Sequence, residues 1–122
     1  MNAKGIFYVF ALVADLKRSK AFYGDKLGWK LTTDEPRVAG FAFGAGYLVL
    51  HVDERRGADR RYGGGMIVDV QVEDAAAEHR RLGSLGVPLT PLIDQPWGER
   101  HFTLTDPDGY SWFIGQQLRG AA

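Results

Sequence analysis

Phe7-Tyr8-Val9-Phe10-Ala11-Leu12-Val13-Ala14-Asp15 and Met66-Ile67-Val68-Asp69-Val70-Gln71-Val72-Glu73-Asp74 are two copies of one pattern. Each is an alternating apolar stretch, the period of a strand, that closes on Val-x-Asp. About a dozen helix-like residues follow, then a glycine, then a second apolar stretch: Leu27-Gly28-Trp29-Lys30-Leu31 in one copy, Leu85-Gly86-Val87-Pro88-Leu89 in the other. Asp74 stands 59 residues after Asp15, and Gly86 stands 58 after Gly28, so the two helices differ in length by a single residue. The chain is a duplicated module.

The local chemistry of each copy agrees. Asp15 and Asp74 are N-cap residues, able to accept from first-turn N–H groups and to sit at the positive end of the helix dipole. Leu16, Ser19, Phe22, Tyr23 and Leu27 give the first helix a buried face, and Ala75, Leu82 and Leu85 a thinner one to the second. Gly28 and Gly86 supply the left-handed stop. Strands are expected over 29–33, 38–43 and 47–52, and again over 88–93, 100–105 and 110–115. Each module then reads β-α-β-β-β. Module one spans about 5–53, a connection about 54–65, and module two about 66–117, in one domain of 122 residues. In the connection, Arg55, Arg56, Arg60 and Arg61 alternate with Asp53, Glu54 and Asp59, which reads as a solvated segment. Asp106-Pro107-Asp108-Gly109 is a tight turn.

Composition narrows the function. Fifteen basic residues against fifteen acidic ones leave no net charge, which disfavours a nucleic-acid partner. No apolar run is long enough for a membrane helix, and no signal-peptide pattern follows Met1. There is no cysteine, so thiolate metal sites, disulfides and cysteine nucleophiles are excluded. A cytoplasmic location is expected.

The repeat, the Asp15-Leu16-Lys17-Arg18-Ser19 … Ala21-Phe22-Tyr23 … Leu27-Gly28 string and the Trp97-Gly98 … Asp106-Pro107-Asp108-Gly109 ending together resemble the glyoxalase / bleomycin resistance / extradiol dioxygenase superfamily, also called vicinal oxygen chelate proteins. The resemblance runs from about Gly5 to Gln116. It implies an α+β fold of two tandem βαβββ modules whose curled mixed sheet surrounds a cleft, usually within a homodimer. The fold hosts lyases, isomerases, dioxygenases and non-catalytic binders alike, so it does not settle function. Metalloenzymes of this family take one ligand from the first and one from the last strand of each module. Carried onto this sequence, those positions are Tyr8, His51 (with Leu50 one residue away as the alternative), Ile67 and Phe113. Among them only His51 is an ordinary ligand for a divalent ion, and a site needs three or four. Neither metal nor another cofactor is expected.

Strand alternation describes the same surface from the residues alone. Phe7, Val9, Ala11 and Val13 belong under the first helix, with Tyr8, Phe10 and Leu12 opposite. Val68, Val70 and Val72 belong under the second, with Ile67, Asp69 and Gln71 opposite. Tyr47, Val49 and His51 share one parity on the fourth strand, and Ser111 and Phe113 on the last. The candidate ligand-binding set is therefore Tyr8, Phe10, Tyr47, Val49, His51, Ile67, Asp69, Gln71, Trp97, Ser111 and Phe113. It is apolar and aromatic with a few polar groups, the usual make-up of a small-molecule site. Flat, partly cationic compounds suit it, through ring stacking and the Asp69 carboxylate.

The function expected is metal-independent binding, in a dimer, of a hydrophobic or aromatic compound of antibiotic type. This resembles the drug-sequestering branch of the family. The alternative is a lyase or isomerase, either metal-dependent or with His51, the one candidate catalytic residue, as acid or base. His79 reads as part of a solvated helix face, and His101 as a lesser candidate near the site.

Overall fold

The computed structural model describes residues 1–55 and 60–118, which form two compact units, Met1–Tyr62 and Gly63–Ala122. The first contains β1 (Val9–Val13), α1 (Leu16–Lys20), a wider helical turn over Ala21–Lys26, then β2 (Lys30–Glu35), β3 (Val38–Phe43) and β4 (Gly46–Val52). The second contains β5 (Val68–Gln71), α2 (Ala75–Ser84), β6 (Ile93–Asp94), β7 (Glu99–Thr105) and β8 (Ser111–Gln117). Both sheets have one topology. The order is β1-β4-β3-β2 in one and β5-β8-β7-β6 in the other, with the first strand parallel to the last and the other pairs antiparallel. The duplication read in the sequence is thus a duplication of βαβββ modules, in the α+β class.

Both helices start and stop as their sequences dictate. Asp15 accepts from the Arg18 N–H at 3.1 Å and Asp74 from the Ala77 N–H at 3.0 Å, satisfying donors that a helix start leaves free. Gly28 and Gly86 each adopt φ +77° just beyond the helix, a conformation costly for any side chain. The extra residue of the first helix is absorbed as a π-turn: the Leu27 N–H donates to the Phe22 carbonyl five residues back, at 3.0 Å. Inserting one residue into an α-helix has this outcome where both ends are fixed.

Each module buries its own core between helix and sheet. Ala11, Val13, Phe22, Tyr23, Phe41, Leu48 and Leu50 fill the first; Ala75, Leu82, Phe102, Leu104, Trp112 and Ile114 fill the second. Four sequence expectations need correction here. Phe7 is not under the helix but 75% exposed, because β1 begins only at Val9 and strand parity does not extend back to it. Leu85, at the C-cap of α2, is exposed. The strand expected over 88–93 shrinks to Ile93–Asp94, preceded by an isolated bridge from Leu89 to Leu104. Pro88 and Pro91 carry no N–H, which interrupts the ladder. His79, read as solvated, lies 2.9 Å from the Thr90 carbonyl through Nε2 and edge-on to Phe102 at 4.9 Å, so it ties α2 to its module.

The connection begins with a buried anchor, not a solvated residue. The Asp53 side chain is fully buried and accepts from the Arg55 backbone N–H at 3.0 Å, from Arg55 Nε and Nη2 at 2.9 Å each, and from the Tyr62 hydroxyl at 2.9 Å. These hydrogen bonds, those from Arg55 foremost, hold its carboxyl far below the usual carboxylate range against the opposing effect of burial. Arg56 and Asp59 lie outside the described residues.

Candidate functional site

Within module one, the face of the sheet turned away from α1 is aromatic. Tyr8, Phe10 and Tyr47 are each about half exposed. Phe7 packs edge-on to Tyr8 at 5.3 Å and to Tyr47 at 6.1 Å. Phe7, Tyr8 and Tyr47, with Thr32, Thr33, Gly40 and Val49, line a hollow of about 360 Å³. Gly40 keeps it open, since a Cβ there would lie 3.2 to 3.3 Å from the side chains of Thr32 and Thr33. Phe7, Thr32, Thr33 and Gly40 were not among the residues expected from sequence. A bulge between Leu31 and Thr33 in β2 brings the threonines here, and alternation cannot foresee a bulge.

His51 is on this face and Leu50 is not: Leu50 is buried in the core, whereas the His51 ring stacks on Phe10 at 6.0 Å. Its Nδ1 lies 2.8 Å from the Val52 carbonyl and its Nε2 3.8 Å from Glu54 Oε1. Glu54 in turn accepts from Arg37 Nε at 3.2 Å, and its carboxyl is lowered chiefly by that hydrogen bond.

The same face of module two carries most of the polar chemistry. In register, Asp69 lies beside Phe113, Gln71 beside Gly115, and Gly115 beside His101, so all five project to one side. Gln71 Nε2 donates to Asp69 Oδ1 at 2.8 Å and to Glu99 Oε2 at 2.9 Å. Trp97 Nε1 approaches Glu99 Oε1 at 3.4 Å. The His101 ring packs against Phe113 at 5.0 Å and edge-on to Trp97 at 6.1 Å. Burial of the Asp69 carboxyl, together with the hydrogen bond and negative charge of Glu99, pushes its pKa up to about 6. Burial acts in the same sense on Glu99, but hydrogen bonds from Asp69, Gln71 and Trp97 prevail and hold it below its ordinary value. The negative charge of Glu99 thus favours the protonated form of Asp69.

Asp69, Gln71, Trp97 and Phe113, all in the set expected from sequence, thus stand in one cluster with His101, the lesser candidate, and with Glu99, which the sequence does not single out. Ile67 is half exposed just ahead of β5. Ser111 pairs with Thr105 at the far end of β8, away from the cluster. Alternation along β7, with Phe102 and Leu104 in the core, was enough to place Glu99 and His101 opposite them.

The register also tests the positions at which the resemblance implies a metal. Phe10 pairs with Val49 and Leu12 with His51, while Asp69 pairs with Phe113 and Gln71 with Gly115. Phe10 and Asp69 are equivalent in the repeat, so the counterpart of Phe113 is Val49, two residues short of His51. The DPDG turn fixes the count along β8, and nothing comparable fixes it along β4. Tyr8, Val49, Ile67 and Phe113 offer no set of donors for a divalent ion, and adding His51 does not make one. The residues present do not fit the metal of this fold family.

Residues 5–114 match the family described as the Glyoxalase/Bleomycin resistance protein/Dioxygenase superfamily. A bleomycin resistance protein of Geobacillus stearothermophilus is 29% identical over 131 aligned residues, which cover 88% of this chain and 92% of that protein. A crystal structure of a protein of unknown function from Agrobacterium tumefaciens is 28% identical with a TM-score of 0.79, covering 97% of this chain and 98% of that one. A lactoylglutathione lyase from Agrobacterium tumefaciens shares the fold, with a TM-score of 0.78 at 22% identity, covering 99% of this chain and all of that one.

Proposed function

The chain belongs to the Glyoxalase/Bleomycin resistance protein/Dioxygenase superfamily, and from that premise we propose that it binds a small aromatic or hydrophobic compound of antibiotic type and holds it unchanged, as a homodimer in the cytoplasm, without the metal of the family's enzymes. The observation that carries this reading is the face of module two, where Trp97 and Phe113 flank a patch of Asp69, Gln71, Glu99 and His101. Apolar rings supply area and a few convergent polar atoms supply orientation. The negative patch beside aromatic edges favours a planar ligand bearing a positive charge. The relative named a bleomycin resistance protein supports the ligand class.

The test is a fluorescence titration of the protein with bleomycin and with a panel of planar aromatic cations beginning with proflavine, followed by recovery of each compound. Saturable quenching with the compound recovered intact is expected. Chemical conversion of a bound compound, or no saturable binding across the panel, would refute the reading.

A second reading, a lyase or isomerase, is favoured by the Asp69–Glu99 pair, whose pKa values are driven apart as acid and base partners require. His51 is its other candidate group. Turnover of a panel compound, abolished by Asp69→Asn with binding retained, would establish it.

A further inference from the structure

Asp69, Glu99 and His101 do more than form a polar patch: each can present one donor atom such that all three lie within 4.8 Å of one another. We propose that these three side chains form a binding site for a first-row divalent cation, at positions distinct from those the fold family uses for its metal. Asp69 and Glu99 stand on β5 and β7 and His101 on β7, whereas the family's positions in this module are Ile67 and Phe113.

A second observation, at the imidazole, points the same way. His101 Nδ1 is buried and has no hydrogen-bond partner among the described residues, although Glu99 Oε1 lies only 3.1 Å from it. The two atoms approach without a proton directed along the line between them. A buried polar atom left in that state is costly. Two ligands side by side on one cation, with bonds of about 2.1 Å, are separated by about 3 Å. The spacing of Nδ1 and Oε1 is therefore that of neighbouring ligands, and a cation would satisfy both. Asp69 is the exposed member of the set, and its side chain has room to turn toward the other two.

The surroundings are built for it. Gln95 lies 3.0 Å from His101 Nε2, and its amide can turn to accept the Nε2 proton, leaving the Nδ1 lone pair free. A ligating imidazole is ordinarily held by its other nitrogen in this way. Gln71 orients both carboxylates. Gly115 provides the space beneath them, since a Cβ there would lie 3.0 Å from Asp69 Oδ1 and nearer still to Glu99. Two carboxylate oxygens and one imidazole nitrogen suit Mn²⁺, Fe²⁺, Co²⁺ or Zn²⁺ and leave coordination positions for water or an oxygen-bearing ligand.

The test uses the full chain, stripped with a chelator and titrated with ZnCl₂, MnCl₂ or CoCl₂ by calorimetry, with bound metal counted after desalting and Co²⁺ followed by its visible absorption. No organic ligand is present, so the outcome does not depend on the proposed function. One cation per chain is expected, with affinity lowered at least tenfold by Glu99→Gln and by His101→Ala and unchanged by His79→Ala. Circular dichroism checks that each variant is folded. If His101→Ala is not, Asp69→Asn at the exposed position carries the test and should weaken affinity at least tenfold. No saturable uptake, or uptake that survives both Glu99→Gln and Asp69→Asn, would overturn the proposal, as would loss in a folded His79→Ala alone.

Discussion

Gly115 and Glu99 share one volume: the carboxylate of Glu99 occupies the space that a Cβ on residue 115 would need. Gly115 pairs with His101 on one side and Gln71 on the other, so a bare backbone in β8 lets three polar residues converge over it. Glycine weakens a strand interior, and its presence in one marks a close approach.

Gly115→Ala should therefore displace Glu99 and Asp69 and destabilise the protein by about 1 to 3 kcal/mol, the usual cost of overpacking. Thermal unfolding measures the loss. Metal uptake and aromatic binding should both weaken in the same variant, whereas Gly83→Ala, in α2 with Leu89 Cδ1 at an ordinary 3.8 Å, should leave both intact.

Asp53 predicts an acid-sensitive anchor. Its folded pKa is depressed below the unfolded value by the hydrogen bonds from Arg55 and Tyr62. The stability it contributes is thus fully present above the unfolded pKa of about 4 and is lost as pH falls through the folded value. Asp53→Asn should lower the midpoint of thermal unfolding at pH 7, and the difference from wild type should shrink in progressively more acidic buffer.

His79 is expected to matter for stability and not for function. Removing its contact to the Thr90 carbonyl and its edge-on packing against Phe102 by His79→Ala should cost about 1 to 2 kcal/mol. That is a fall of several degrees in unfolding temperature. Ligand and metal titrations should be unaffected.

His51→Ala separates binder from enzyme. The ring stacks on Phe10 and lies against its own backbone neighbour Val52, so a binder should lose no more than a few-fold in affinity. An enzyme that used His51 as acid or base would lose turnover by about a hundredfold or more.

The fold was legible because its signals are local and occur twice. Val-x-Asp, the helical stretch and the stopping glycine each recur, and even the single extra residue of the first helix reappears as a π-turn. What stayed hidden depends on irregularity or on contacts distant in sequence. The bulge at Leu31–Thr33 and the prolines at 88 and 91 break the alternation from which faces were read. Asp69 and Gln71 were found by parity along a single regular strand. Glu99 was not, because it stands one residue ahead of the strand expected over 100–105, although β7 begins with it and its alternation with Phe102 and Leu104 would have placed it. Asp53 looked like one charge among many until Arg55 and Tyr62 closed around it.

The most direct measurement of the central claim is calorimetric titration of chelator-treated protein with proflavine, in wild type and in Trp97→Ala, with the compound recovered and weighed by mass spectrometry. Saturable binding without metal, weakened at least tenfold in Trp97→Ala, and an unaltered compound are expected. Binding that persists undiminished in Trp97→Ala, or a compound returned chemically changed, would contradict it.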